Sequence, residues 1–259
     1  MAGRSCEFHV TSNRWEVIEL KAVILAGGTG TRLRPLTKLL NKHLLPVGKM
    51  PMISYGLISL QAAGITDILL VTGPDALGDF ASFLGSGKEY NVSLTYRVQE
   101  EAGGIAQALE LARPFIGGDD KFIVLLGDNL FEEPLKPHMD AFRAQPGGAM
   151  VLLKQVPDPE RYGVPAFGAD GRIERIDEKP AAPQTNSCVT GIYMYDGTVF
   201  DLIAEQSPSQ RGELEITDVN NGYAAKGQLA YRHLSGWWTD AGTFGSLLEA
   251  SRKLMGDGS

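Results

Sequence analysis

Little in this chain would staple it together or bind a metal through a recognisable ligand pattern. Cys6 and Cys188 are its only cysteines in 259 residues, which excludes a disulfide framework and points to a reducing compartment. The four histidines, His9, His43, His138 and His233, are too scattered for a zinc or haem motif. No apolar run approaches the roughly eighteen residues of a membrane-spanning helix, and Met1 to Leu20 lacks the central apolar segment of a signal peptide. A basic surplus is missing too: 24 Lys and Arg face 31 Asp and Glu, for a net charge of −7, which argues against nucleic acid or an acidic membrane as partner. These absences predict a cytoplasmic protein.

What the chain does have is apolar content. At 43% hydrophobic and 21% charged, it can bury a sizeable core as one domain, or one domain with an insert. Ala22 to Leu25, Ile68 to Val71, Ser93 to Tyr96 and Phe122 to Leu126 read as strands, the first, second and fourth continuous enough to be buried on both faces. Pro51 fits a helix start with Gly64 beyond its end, and the periodic segment Ala76 to Leu84 runs into glycines. The alternation predicts an α/β fold, a Rossmann-like doubly wound mixed sheet that is mostly parallel. Ligands of such sheets gather outside the carboxyl ends of the strands.

The segment Lys21 to Lys42, KAVILAGGTGTRLRPLTKLLNK, places a glycine-rich turn at such an end. Gly27, Gly28 and Gly30 permit positive φ and close backbone approach, so successive N–H groups can face phosphate oxygens, while Arg32, Arg34 and Lys42 supply positive charge. A dinucleotide fingerprint fails because Leu33 stands at the third glycine position. A P-loop fails because Met50, not Ser or Thr, follows Gly48 and Lys49. Asp128 follows the strand FIVLLG directly, and Asp240 in GWWTDAGT likewise follows a hydrophobic cluster. Asp128 alone also fits a turn aspartate; two oxygen ligands would suit Mg²⁺, which takes one or two carboxylates and completes its shell with phosphate and water, but spacing alone does not join residues so far apart. Trp237 and Trp238, adjacent on a strand, would face opposite ways, one into core and one towards a pocket floor.

The ordered set LAGGTGTRLRPLT, NKHLLPVGKMPMI, QEEAGGIAQAL, LLGDN, DPERYGV, EKP, VTGIY, RGELEITDVN and GWWTDAGT resembles the sugar-1-phosphate nucleotidyltransferases, and within them the bacterial glucose-1-phosphate thymidylyltransferases. The resemblance runs from Lys21 to about Leu254. It implies transfer of a deoxythymidylyl group from dTTP to glucose 1-phosphate, giving dTDP-glucose and pyrophosphate for deoxysugar or rhamnose-type cell-surface polysaccharides. A uridylyltransferase using UTP is the alternative, because thymine and uracil differ by one methyl; a non-catalytic nucleotide-sugar sensor is the other rival.

By the same resemblance Arg32, Lys42 and Asp128 are catalytic, and Asp128 and Asp240 hold Mg²⁺. Leu25, Ala26, Gly27, Gly28, Thr29, Gly30, Thr31, Arg32, Gln99 and Gly104 bind the nucleotide. The Gln99 amide can both donate to and accept from a thymine or uracil edge, although alone it reads as a surface residue ending a strand. Asn129, Tyr162, Gly163, Glu178, Lys179, Val189 and Arg211 fall to the sugar phosphate, on a small sugar-binding β insert and its surroundings. Tyr162 and Val189 could equally be core, and Arg211 could equally pair with Glu213 or Glu215. Ala102 stands where many members have proline and His43 where many have glutamine, and His43 reads as a packed loop residue. Members usually begin with Met before the first strand; Leu20 is in that place, so residues 1–19 are expected to lie outside a single catalytic domain spanning 20–259. Many members continue beyond the point where Ser259 falls, into helices of a regulatory nucleotide site, so feedback through that site is not expected. The resemblance also implies a homo-oligomer.

Overall fold

A computed structural model describes residues 20–256 apart from 119 and 210; the expectation about residues 1–19 lies outside the described residues. The chain opens with β1 (Lys21–Ala26), the short β2 (Pro46–Val47) and β3 (Met50–Pro51), α1 (Met52–Ala62), β4 (Asp67–Thr72), α2 (Leu77–Leu84) and β5 (Ser93–Val98). It continues through α3 (Ile105–Glu110), α4 (Arg113–Ile116), β6 (Phe122–Leu126), β7 (Asn129–Phe131), α5 (Lys136–Ala144) and β8 (Ala149–Gln155). A hairpin of β9 (Gly163–Phe167) and β10 (Ile173–Glu178) precedes β11 (Ser187–Tyr195), α6 (Val199–Ala204), α7 (Ile216–Ala225), β12 (Leu229–His233), β13 (Trp238–Asp240) and α8 (Phe244–Met255).

Seven strands form one sheet in the order β12-β8-β11-β6-β1-β4-β5. All neighbours are parallel except β11, which runs antiparallel to both β6 and β8. The mixed, mostly parallel, doubly wound sheet is therefore present, and its reversal point lies beside the central pair β1 and β6. Period-two alternation sorts the side chains to two faces. Val23, Leu25, Val71, Val124 and Tyr195 pack with α3, α6 and α7 on one side; Ala22, Ile24, Leu70, Ile123 and Leu125 pack with α1, α2 and α5 on the other. Cover on both faces explains why β1, β4 and β6 read as continuous apolar runs. Edge strand β5 alternates exposed with half-buried residues instead.

Two small pairings shape the rim. β9 and β10 form the β insert between β8 and β11, pinned to α7 because the Asn221 side chain accepts from Ile176 N–H at 2.7 Å and donates to its carbonyl at 3.0 Å. β7 and β13 pair antiparallel, setting Asn129 opposite Asp240. The Ala241 N–H also donates to the Asp128 carbonyl at 2.8 Å. Immediately afterwards α8 starts at a capping box in which Thr243 and Ser246 exchange hydrogen bonds.

Candidate active site

The glycine turn leaves β1 closely flanked by the Gln99 and Lys42 side chains. A Cβ at Gly27 would stand 2.8 Å from Gln99 Oε1, and one at Gly28 3.1 Å from Lys42 Cε. Gly30 adopts a left-handed φ of 61°, and its carbonyl accepts from Thr37 Oγ1 at 2.8 Å. The turn Thr31–Leu33 is anchored by buried Leu33, which leaves Arg32 and Thr31 exposed. The Arg32 guanidinium lies so close to Gly242 that a Cβ there would meet its Nη2 at 2.7 Å, placing positive charge beside Asp240.

Asp128 emerges where β6 ends and is met at 2.5 Å by Lys42 Nζ, with both side chains only 13% exposed. Burial works against charge on Asp128, but the Lys42 ammonium, helped by His43 and an Asn129 hydrogen bond, more than reverses this and holds the carboxyl far below the usual range. Asn129 acts as a bracket: Nδ2 donates to Asp128 Oδ1 at 3.1 Å, while Oδ1 accepts from Gly191 N–H at 2.7 Å and Trp238 Nε1 at 2.8 Å. Gly191 must lack a side chain, since a Cβ there would fall 2.5 Å from Asn129 Nδ2.

His43 is buried at 2% exposure. Its own backbone N–H donates to Asn41 Oδ1 at 3.0 Å, and its Nδ1 lies 2.8 Å from the same oxygen, so Nδ1 carries the proton and Nε2 a lone pair. Burial and the neighbouring Lys42 charge lower the imidazole to about 3, so it stays neutral and packs against Gly127.

Asp240 is approached from the other side. Tyr162 Oη donates to its Oδ1 at 2.9 Å and Arg161 Nη2 at 3.3 Å, while Asp158 holds the Arg161 guanidinium at 2.6 Å. Burial, followed by the negative charge of Asp128, raises the Asp240 carboxyl against the opposing pull of Arg161, Tyr162 and Arg32. Two hard oxygen donors that repel each other are the donor chemistry a divalent cation relieves. Among the described residues no group of three or more His, Cys, Asp or Glu side chains could hold a metal, so any ion here needs the two carboxylates plus outside ligands. Sequence reasoning did not single out Arg161, Asp158 or Asn41; only the folded chain shows what they brace.

A cavity of about 250 Å³ opens between the glycine turn and α3, lined by Gly27, Gly28, Lys42, His43, Gln99, Ala102, Gly104 and Asp128 with Leu25, Ile105, Ala108 and Leu126 as apolar wall. A second, of about 480 Å³, lies across the turn beside Thr29, Arg34, Lys38 and Asn41, and shares Gly27, Gly28, Gln99 and Ala102 with the first. None of the expected sugar-side residues lines either cavity. Gly163 pairs with Glu178 across the hairpin, and Glu178 accepts from Thr217 at 2.7 Å. Lys179 follows in a left-handed φ of 46°, a strained setting for a non-glycine residue, held by its N–H donating to the Tyr162 carbonyl at 3.0 Å. Arg211 Nη2 pairs with Glu215 at 2.9 Å and approaches Glu178 at 3.7 Å, so of the two partners weighed for an ion pair it takes Glu215. Val189 is buried on β11 two residues from Gly191. Trp237 packs under α8 and Trp238 against the Tyr162 ring edge-on at 5.4 Å; neither is fully buried.

Together these elements put a phosphate-shaped turn, the cations Arg32, Lys42 and Arg161 and a carboxylate pair at the carboxyl end of a doubly wound sheet, the equipment of an enzyme that moves phosphorylated groups. The chain belongs to the nucleotidyl transferase family, whose model matches residues 21–256; nucleotidyl transfer generally uses a divalent metal ion. It is 46% identical over 234 residues to a glucose-1-phosphate thymidylyltransferase of Xanthomonas campestris, covering 89% of this chain and 79% of that protein. A Bacillus anthracis crystal structure with sucrose bound, described as that of a glucose-1-phosphate thymidylyltransferase, superposes with a TM-score of 0.87 at 53% identity, over 91% of this chain and 95% of the other. A UDP-glucose pyrophosphorylase complexed with UDP-glucose matches at TM-score 0.80 and 24% identity, over 92% and 98% of the two chains, a likeness of fold alone. Among the described residues no helix is long and apolar enough to cross a membrane.

Proposed function

We propose that this chain is a glucose-1-phosphate thymidylyltransferase: it transfers a deoxythymidylyl group from dTTP to glucose 1-phosphate and releases pyrophosphate. The observation that carries this is the Lys42–Asp128–Asp240 arrangement at the mouth of the glycine turn, in a chain whose relatives of that name span most of its length. An oxygen of glucose 1-phosphate attacks the α-phosphorus of dTTP; the bond to the β-phosphate oxygen breaks, and its electron pair leaves with pyrophosphate. The attacking oxygen is already ionised, so no protein nucleophile or base is required, and positioning with charge neutralisation supplies the catalysis.

In this reading residues 25–32 cradle the triphosphate, Arg32 offsets the charge that builds on pyrophosphate, and Lys42 and Lys179 hold the two anions against their mutual repulsion. Gln99 and Gly104 face the base, while Tyr162, Gly163, Glu178, Val189 and Arg211 border the sugar phosphate, with Asn129 bracing Asp128. Mg²⁺ fits the two carboxylates of Asp128 and Asp240, where it would supply Lewis-acid polarisation of the α-phosphate. Residues 20 onward act as one catalytic domain in the cytoplasm, as a homo-oligomer, with no nucleic-acid or membrane partner. The test is pyrophosphate release from the purified chain with Mg²⁺, glucose 1-phosphate and dTTP, UTP, dCTP or ATP in turn. Release with dTTP above the others is expected; release with none ends the enzyme reading, and release with UTP above dTTP makes it a uridylyltransferase.

A further inference from the structure

Gln99 lines the first cavity, and Gln107 on α3 stands behind it, hydrogen-bonded to its amide. Gln107 Oε1 accepts from the Gly103 backbone N–H at 3.0 Å and from Gln99 Nε2 at 2.8 Å, and Gln99 Nε2 also donates to the Gly104 carbonyl at 3.2 Å. The backbone atoms fix the polarity of both amides. Gly103 N–H can only donate, so the Gln107 atom facing it is oxygen; that oxygen and the Gly104 carbonyl can only accept, so the Gln99 atom facing them is nitrogen. Both Nε2 hydrogens of Gln99 are thereby used, and what it presents is Oε1, lodged beside Gly27 where a Cβ would come within 2.8 Å. Gln99 was expected to donate and accept; in the folded chain it can only accept.

Resting on the proposed nucleotide reaction, we infer that Gln107 is a positioning residue that locks Gln99 as a hydrogen-bond acceptor and so selects bases with a ring N–H, thymine and uracil, over cytosine. The ring nitrogen at position 3 is a donor in thymine and uracil and a lone-pair acceptor in cytosine. For a pyrimidine seated with that atom on Gln99 Oε1, cytosine sets two acceptors face to face, and the amide cannot turn its NH₂ towards the base without giving up two hydrogen bonds and opposing oxygen to the Gly104 carbonyl. The methyl of thymine plays no part in this, so the device separates imide bases from cytosine and leaves thymine against uracil to the apolar wall.

Isothermal titration calorimetry of the whole chain with dTTP, dUTP and dCTP tests the inference in the wild type, Gln107→Leu and Gln107→Glu. The wild type should bind dTTP and dUTP over dCTP. Gln107→Leu, which frees the Gln99 amide to rotate, should narrow the dTTP:dCTP affinity ratio by roughly tenfold while leaving dTTP:dUTP unchanged, and Gln107→Glu, which keeps an acceptor in place, should restore the wild-type ratio. Gly103→Ala, whose Cβ would fall 2.2 Å from Gln107 Nε2, should displace Gln107 and narrow the same ratio if Gln107→Leu folds poorly. An unchanged dTTP:dCTP ratio in the folded Leu or Ala variant, or a wild type that does not prefer dTTP to dCTP, overturns the inference. A wild type that shows the base preference yet releases no pyrophosphate would sink the proposed reaction and leave this selection standing.

Discussion

At the scale of single residues, the site is an exercise in holding unlike charge states side by side. Within one short segment Lys42 is paired with Asp128 while His43, next in the chain, is kept neutral by burial and by that same ammonium. This has a pH consequence. The folded imidazole titrates near 3 and the unfolded one near 6.5, so between those values the unfolded chain holds a proton that the folded chain does not. Stability therefore falls as pH drops through that window, by up to about 1.4 kcal/mol per pH unit, and the effect ends below the folded value. Asp128, with its folded carboxyl lowered from 3.8, adds loss of the same sign only near and below that value. His138, lowered by burial, adds loss in the same window as His43, and Asp240 and Asp218, raised by burial, act in the opposite sense, so the share of His43 is read from a variant that removes its imidazole alone. Denaturant unfolding of His43→Gln at pH 7 and pH 5 should show a smaller loss on acidification than the wild type; equal losses would mean the imidazole is protonated in the folded chain.

At the scale of elements, the decisive event is the pairing of two three-residue strands. β7 and β13 are more than a hundred positions apart in the chain, and only their register sets Asn129 opposite Asp240 and lets Trp238 Nε1 reach Asn129. Trp238→Phe keeps a ring against Tyr162 and removes that N–H. It should cost about 1 kcal/mol of stability and, because Asn129 orients the Asp128 carboxylate, weaken Mn²⁺ binding roughly tenfold, as read by electron paramagnetic resonance of the free chain without substrates. Undiminished Mn²⁺ affinity would show that Asn129 does not need this brace. The same pairing marks where the sequence stopped being legible. β1, β4 and β6 were readable because burial on both faces leaves continuous apolar runs, and α1 and α2 because Pro51 and the glycines after Leu84 punctuate them. The direction of β11 was not readable, because nine buried residues look the same in either sense. The Asp128–Asp240 partnership rested on resemblance alone, since no local pattern encodes a contact between distant strands. Gln107 stood in a quoted motif without a role, because amide polarity is set by backbone atoms that meet only in the folded chain.

At the scale of the whole molecule, a chain of net charge −7 gathers Arg32, Lys42 and Arg161 around the Asp128–Asp240 pair, so the attraction for polyphosphate is local and opposed by the rest of the surface. The carboxylates there are already served by the protein: Lys42 on Asp128, Tyr162 and Arg161 on Asp240. A structural zinc site collapses without its metal because its ligands have no other partners; here the partners are in place, and the sheet's core lies on its two faces away from this rim. Metal dependence of activity and of folding should therefore separate. EDTA is expected to stop pyrophosphate release, and added Mg²⁺ to restore it. The thermal unfolding midpoint should move by less than about 2 °C, equivalent to under roughly 1 kcal/mol for a chain of this size. A fall of many degrees on chelation would show that the carboxylate pair depends on the ion for its structure, and that Lys42, Arg161 and Tyr162 do not neutralise it as the geometry indicates.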